Sequence, residues 1–198
     1  MLRLEHIAKR FAGRLVIQSA SFSVASGEVL CITGESGIGK TTLLEIIAGI
    51  TRPDAGCIQR HGKVSLCFQD NALIPWLNAA ANLDYALPET LPQATRQSAI
   101  THWLSRFGLA PDTFPPAMSG GMLRRLGLAR AFAVNRPILL LDEPFAFLDP
   151  AWQETVAACT AEAAQANAAV ILTSHSIDPL RGLAVTHMHA AGTPLAIG

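Results

Sequence analysis

The stretch Gly34-Glu35-Ser36-Gly37-Ile38-Gly39-Lys40-Thr41-Thr42 constrains this chain more than any other. It fits the pattern G-x-x-x-x-G-K-[ST]. It stands between an apolar strand candidate, Val29-Leu30-Cys31-Ile32, and a helix candidate whose Leu43, Ile46, Ile47 and Ile50 recur on one face. Glycines let the backbone turn so that successive N–H groups point inward, and a helix N-terminus adds the positive end of its dipole. Strand, loop and helix together therefore form a cradle for phosphate oxygens. In that setting Lys40 meets the β- and γ-phosphates of a nucleotide and Thr41 offers its hydroxyl to Mg²⁺. A glycine-rich turn without a ligand is the alternative, and the strand and helix flanks argue against it.

Size and charge narrow the classes further. A chain of 198 residues, half of them hydrophobic, buries a core without disulfides. The 15 basic and 15 acidic residues cancel, leaving no electrostatic footprint for nucleic acid or for an anionic membrane surface. No apolar run approaches the roughly 18 residues that span a bilayer. Met1-Leu2-Arg3-Leu4-Glu5 does not read as a signal peptide, so a soluble, unexported chain is expected. Cys31, Cys57, Cys67 and Cys159 lie far apart with no C-x-x-C pair, which predicts small core residues in a reducing compartment rather than metal or redox chemistry. The mean hydropathy of +0.32 reflects alanine-rich helices or apolar surface kept for a partner.

Along the chain, Leu2 and Leu4 alternate, Ile7 breaks the register, and the pattern resumes after Ala12-Gly13 as Ser21-Phe22-Ser23-Val24. This predicts two short antiparallel strands. Phe11 between them either packs under the turn or stacks on a base. Cys57-Ile58-Gln59 and Val64 to Phe68 read as strands, the second ending at Gln69. From Asn71 to Pro116 nothing alternates like a strand, while Ile100, Trp103, Leu104 and Phe107 share a helical face. A helical subdomain inserted into an α/β core is expected there. Ser119-Gly120-Gly121 opens the next helix, with serine as N-cap and open N–H groups. Met122, Leu126, Ala129 and Ala133 lie on one face of it, and Arg124, Arg125 and Arg130 lie off that face.

Ile138-Leu139-Leu140-Leu141 has the continuous apolar character of a strand buried on both faces of a parallel sheet, and it ends in Asp142-Glu143-Pro144. Paired carboxylates at the C-terminal edge of such a strand stand where open α/β sheets bind ligands; a solvated acidic turn is the alternative, and the buried strand before it argues against that. A further helix carries Trp152, Val156, Cys159 and Ala163 on one face. Ala169 to Thr173 then forms another buried strand, ending at His175 on the same edge as Asp142. His187 and His189 read as surface histidines of an edge strand, with no third ligand for a metal.

Taken together these pieces resemble the ATP-binding subunit of ABC transporters. In the family's order stand the phosphate loop, Gln69 at a strand end and Ser119-Gly120-Gly121-Met122 as the signature. They are followed by Leu139 to Glu143 as Walker B, Leu148-Asp149 as the D-loop and His175 as the switch histidine. The resemblance implies an α/β fold: a P-loop NTPase core with a mostly parallel sheet, an N-terminal antiparallel β subdomain and the inserted α-helical subdomain. Residues 1–70 and 135–198 form the β subdomain and core, and about 71–134 the helical part. It implies ATP on Gly34, Glu35, Ser36, Gly37, Ile38, Gly39, Lys40, Thr41 and Thr42, with Phe11 in the place of an adenine-stacking aromatic. Mg²⁺ would be held by Thr41, Gln69 and Asp142, the base would be Glu143, and Lys40, Gln69 and His175 would serve catalysis. Ser119, Gly120 and Gly121 would come from a second copy in a head-to-tail dimer.

The run Gln69 to Trp76 and the Ser-Gly-Gly-Met signature look like importer ATPases of the nitrate, sulfonate and taurine group. That likeness implies membrane permease subunits, a periplasmic or lipoprotein substrate-binding protein, and a place at the cytoplasmic face of the inner membrane, with no nucleic-acid partner. Trp76 either borders the groove for a permease helix or anchors the helical subdomain. With the short stretch after His175, no regulatory domain of the kind carried by sugar-importer ATPases is expected. Met122 replaces the commoner glutamine, Leu123-Arg124-Arg125 replaces a more polar run, and Ser176-Ile177-Asp178-Pro179 departs from the family's usual continuation. An exporter subunit for lipid or haem, and an ABC ATPase acting on nucleic acid or ribosomes, are the alternatives.

Overall fold

The chain begins with strand β1 (Leu2–Phe11), which reverses at Ala12-Gly13 into β2 (Arg14–Val24). Both turn residues have positive φ, 46° and 82°, the geometry of a two-residue turn whose twist matches its strands. The strands are longer than the sequence pattern predicts because β1 carries a bulge. His6 sits at φ 50°, and the pairing shifts register between Leu4 and Ile7. The extra residue restores the inward phase, so that Leu2, Leu4 and Ile7 are all buried. The computed structural model describes residues 1–192 and 194–197.

Strand β3 (Val29–Thr33) leads through the glycine-rich loop into helix α1 (Lys40–Ala48), then β4 (Ala55–Arg60) and β5 (Val64–Cys67) follow. Helices α2 (Ala79–Ala86), α3 (Gln93–Arg106) and α4 (Gly120–Ala133) precede β6 (Ile138–Leu141), α5 (Pro150–Gln165), β7 (Ala169–Ser174), β8 (Thr186–His189) and β9 (Leu195–Ile197). Two sheets result. One has the order β4-β1-β2-β9, antiparallel except for β9 beside β2; the other has the order β5-β6-β7-β3-β8 and is parallel throughout.

β3, β6 and β7 are buried along their whole length, and their alternate residues feed two cores. Leu30, Ile32, Leu140 and Ile171 pack with α1 and the antiparallel sheet, whereas Cys31, Leu141, Val170 and Leu172 pack with α2 to α5. This layering puts the C-terminal ends of β5, β6, β7 and β3 on one edge of the parallel sheet. Gln69, Asp142, His175 and the glycine-rich loop follow those strands directly.

Several sequence expectations shift. Helix α1 stops at Ala48 on left-handed Gly49, so Ile50 lies beyond it and is exposed, while Ile38 of the loop is buried. Cys57 is exposed rather than in the core. Trp76 is 76% exposed, so it does not anchor the helical region. Trp103, Phe107 and Phe132 do that, stacked with ring centroids 5.5 to 6.3 Å apart. Helix α4 is enclosed on more than one face, and Arg124, read from sequence as lying off the apolar face, is buried. Among the described residues no helix is long and apolar enough to cross a membrane.

Candidate active site

The loop between β3 and α1 is built on backbone that only glycine adopts easily. Gly34 has φ 156° and Gly39 φ 116°. A Cβ on Gly34 would lie 2.8 Å from the carbonyl oxygen of Ala190, and one on Gly39 would crowd Val16, so the neighbouring strands also require bare backbone there. Lys40 opens α1 with its side chain buried. Its ammonium donates to the carbonyl oxygens of Gly34 at 2.7 Å and Glu35 at 3.0 Å, and lies 3.5 Å from Oε1 of Glu143.

Opposite the loop, the end of β6 supplies two carboxylates with different surroundings. Asp142 is 1% exposed and both of its oxygens are engaged: Oδ2 accepts from the Thr41 hydroxyl at 2.7 Å and Oδ1 from the Thr173 hydroxyl at 2.6 Å. Glu143 is 8% exposed, sits in left-handed backbone at φ 50°, and donates its amide N–H to the Thr173 oxygen at 3.0 Å. Its carboxylate faces Lys40 and, at 3.4 Å, Nε2 of His175. The same imidazole nitrogen lies 3.5 Å from the Ser36 hydroxyl, at the limit of a hydrogen bond.

Ser36, Lys40, Thr41, Gln69, Glu143 and His175 line one cleft of about 260 Å³, while Asp142 and Thr173 are buried beside it and do not line it. A second cleft of about 260 Å³, lined by Phe11, Arg14 and Ile38, shares Val16 and Gly37 with the first and so continues it. Phe11 is 46% exposed, with the Lys9 ammonium 5.1 Å from its ring centroid. The arrangement offers backbone donors and an ammonium for phosphate oxygens, an exposed aromatic for a base, and a carboxylate beside them that can accept a proton. A larger open cleft of about 590 Å³ lined by His6, Ser19, Ser21 and His189 contains none of these groups.

The hydroxyl of Thr41 and the carboxylate of Asp142 are hard oxygen donors, the kind that suits Mg²⁺, and Gln69 borders the same cleft. Among the described residues no cluster of three or more His, Cys, Asp or Glu side chains offers a site for a softer metal. His187 and His189 are exposed and share the hydroxyl of Thr33, at 2.7 and 3.2 Å.

The structure does not bring every sequence-derived candidate into this cleft. Ser119 caps α4, its hydroxyl accepting from the amide of Met122 at 3.3 Å, but Ser119, Gly120 and Gly121 are not among the residues lining either part of the site. A Cβ on Gly120 would meet open space, so the N-terminus of α4 faces outward. Conversely, Thr173 and Arg124 were not singled out for the site from sequence. Thr173 left a signal, a hydroxyl closing the apolar run of β7; Arg124 left none, because arginine in a helix ordinarily reads as solvated.

The sequence profile described as ABC transporter matches residues 17–146. The taurine import ATP-binding protein TauB of Pseudomonas aeruginosa is 37% identical over 196 residues, covering 93% of this chain and 74% of that protein. The aliphatic sulfonates import ATP-binding protein SsuB 3 of Paraburkholderia xenovorans is 35% identical over 181 residues, 90% of this chain and 72% of that protein. SsuB 1 of Pseudomonas syringae pv. syringae is 37% identical over 151 residues, 75% of this chain and 61% of that protein. Among solved structures, dimeric MJ0796, described as a bacterial ABC transporter cassette, superposes with a TM-score of 0.83 at 25% identity, covering 91% of this chain and 90% of that one. A structure described as the ATP-binding subunit of an ABC transporter gives 0.88 at 21% identity, covering 100% and 89%. The chain belongs to the ABC transporter ATP-binding family.

Proposed function

We propose that this protein is the ATP-binding and ATP-hydrolysing subunit of an ABC importer, working as a head-to-tail dimer beneath membrane permease subunits. The observation that carries the reading is the convergence of Lys40, Thr41, Gln69, Glu143 and His175 on one cleft at the C-terminal edge of the parallel sheet. Phosphoryl transfer to water needs positioning and charge stabilisation more than covalent help, and this cleft supplies both. The loop Gly34 to Thr42 holds the phosphates through backbone N–H groups and the start of α1, and Phe11 takes the adenine face. Lys40 turns its ammonium toward the β- and γ-phosphates. Glu143 accepts the proton of the attacking water, Gln69 helps to align that water, and His175 contacts the γ-phosphate. Thr41 and Asp142, with Gln69, would hold Mg²⁺, which neutralises phosphate charge when bound.

Ser119, Gly120 and Gly121 stand at the N-terminal end of α4 and do not line the chain's own cleft, and Gly120 faces open space, which supports their use on the nucleotide of a second copy. Import is supported by the names of the taurine and sulfonate relatives. The reading extends to permease subunits, a periplasmic or lipoprotein substrate-binding protein, and a place at the cytoplasmic face of the inner membrane. The test is twofold. Purified protein is expected to release phosphate from ATP only when Mg²⁺ is present, and the chain is expected to copurify with permease subunits. Recovery with ribosomes or nucleic acid instead would overturn the transport reading.

A further inference from the structure

One guanidinium holds the two peptide units that precede Gln69 and Glu143. Arg124, in the second turn of α4, is 1% exposed. Its Nη1 donates to the carbonyl oxygen of Phe68 at 2.7 Å and to Oδ1 of Asn71 at 2.8 Å, and its Nη2 donates to the carbonyl oxygen of Asp142. β5 and β6 are neighbours, and their ladder closes with the amide of Asp142 donating to Cys67 at 2.9 Å. The Phe68 and Asp142 carbonyls lie just beyond that closure, where the sheet no longer pairs them. The rigid fork of arginine suits two acceptors at once, which a lysine ammonium on a flexible stem holds less well.

Two further facts separate this from packing. Among the described residues Arg124 forms no ion pair; its bonded acceptors are carbonyls, an amide oxygen and a weakly engaged thiol, and its Nε has no hydrogen-bond partner. A buried charge so placed is costly as a stabilising device and useful as a geometric one. The Asp142–Glu143 peptide is moreover held at both ends, its carbonyl by Arg124 and its N–H by Thr173, at a residue in left-handed backbone. Rotation of that peptide would swing the Glu143 carboxylate away from Lys40 and His175.

The segment after Gln69 is gripped by the same helix. Asn71 and Ala72 have positive φ, 64° and 43°, and their carbonyls accept from Arg130 at 2.6 and 2.8 Å. A Cβ on Gly127 would come 3.0 Å from Asn71, so that side chain rests directly on α4.

We propose that Arg124 is a positioning residue for ATP hydrolysis, setting Gln69 against Glu143 and tying both to the helix that begins at Ser119-Gly120-Gly121. The inference rests on the ATPase reading above. A displacement of α4 reaches both peptides through this one side chain.

The experiment compares Arg124→Met and Arg124→Lys in the full chain, measuring kcat and KM for ATP, and ATP affinity in a Glu143→Gln background. Because a misplacement of about 1 Å can cost on the order of 100-fold, kcat is expected to fall about tenfold or more. KM and ATP affinity stay within about twofold, since the phosphate loop is untouched. Combined with Gln69→Ala, the loss in kcat falls short of the product of the two single losses, because Arg124 acts partly through Gln69. An unchanged kcat, a loss confined to KM, or losses that multiply fully would overturn the proposal. If Arg124→Met does not fold, Arg124→Gln, shorter and uncharged but polar, carries the same comparison alongside Arg124→Lys. Failure of the unaltered chain to hydrolyse ATP would sink the ATPase reading itself, and is seen before any substitution is made.

Discussion

Thr173 bridges the two carboxylate residues of the site: its hydroxyl donates to Oδ1 of Asp142 at 2.6 Å while its oxygen accepts the amide of Glu143 at 3.0 Å. Thr173→Val keeps the shape and removes both bonds. The buried Glu143 amide then lacks an acceptor, a loss of about 1–3 kcal/mol. Urea unfolding is expected to show that destabilisation. ATP turnover should fall with little change in KM, since the loop assigned above to the phosphates is unaltered.

Glu143→Gln retains the side-chain shape but cannot accept the proton of water. The expected protein binds ATP, forms a dimer that persists by size-exclusion chromatography, and hydrolyses ATP barely at all. Normal phosphate release by this variant would remove Glu143 from the role of base.

Lys40→Ala deletes the ammonium that lies among the Gly34 and Glu35 carbonyls and the Glu143 carboxylate. Charge-assisted hydrogen bonds contribute about 1.5–3 kcal/mol each, so ATP affinity measured by calorimetry should weaken by roughly 10-fold to 150-fold per bond lost. Equal affinity in the variant and the unaltered chain would contradict the assignment of the loop.

Phe11→Ala tests the base end of the site. Stacking of a base on an aromatic ring contributes about 1–3 kcal/mol, so ATP affinity should drop while binding of inorganic triphosphate stays level. A parallel loss for both ligands would mean that Phe11 supports the loop rather than the adenine.

The cysteines give a pH dependence. Burial pushes the Cys31 thiol from its ordinary 9.0 up to about 12, with the Glu143 carboxylate adding to it, and burial pushes Cys159 up to about 11. The folded state keeps these protons where the unfolded chain has released them. Their contribution to stability is therefore complete below about pH 9 and is lost as pH rises from there toward the folded values, at about 1.4 kcal/mol per pH unit per thiol. Urea midpoints at pH 8 and pH 10.5 check the direction. Thiol labelling of the native protein near pH 8 should yield one adduct, on exposed Cys57, whose own thiol is raised chiefly by its hydrogen bond to Glu5.

Features that depend on local pattern were legible from the residues alone. Gly34 to Thr42 with its apolar flanks specified a glycine-rich loop between a buried strand and a helix, because few residues other than glycine accept the backbone at Gly34 and Gly39. The continuous apolar runs of β6 and β7 specified buried parallel strands, which placed Asp142, Glu143 and His175 at one edge. The bulge at His6 escaped pattern reading, since a period of two says where side chains point only while the register holds.

Tertiary structure alone decided what joins those parts. Nothing in the spacing of Arg124, Phe68 and Asp142 announces that one guanidinium reaches both carbonyls; they meet because β5 and β6 are neighbours and α4 is packed beside their ends. It also decided that Ser119-Gly120-Gly121 stands apart from the cleft that its own chain builds. The physical reason is the same in both cases. Local sequence fixes backbone conformation and which face is apolar, whereas partners separated by tens of residues are chosen by how the buried faces stack.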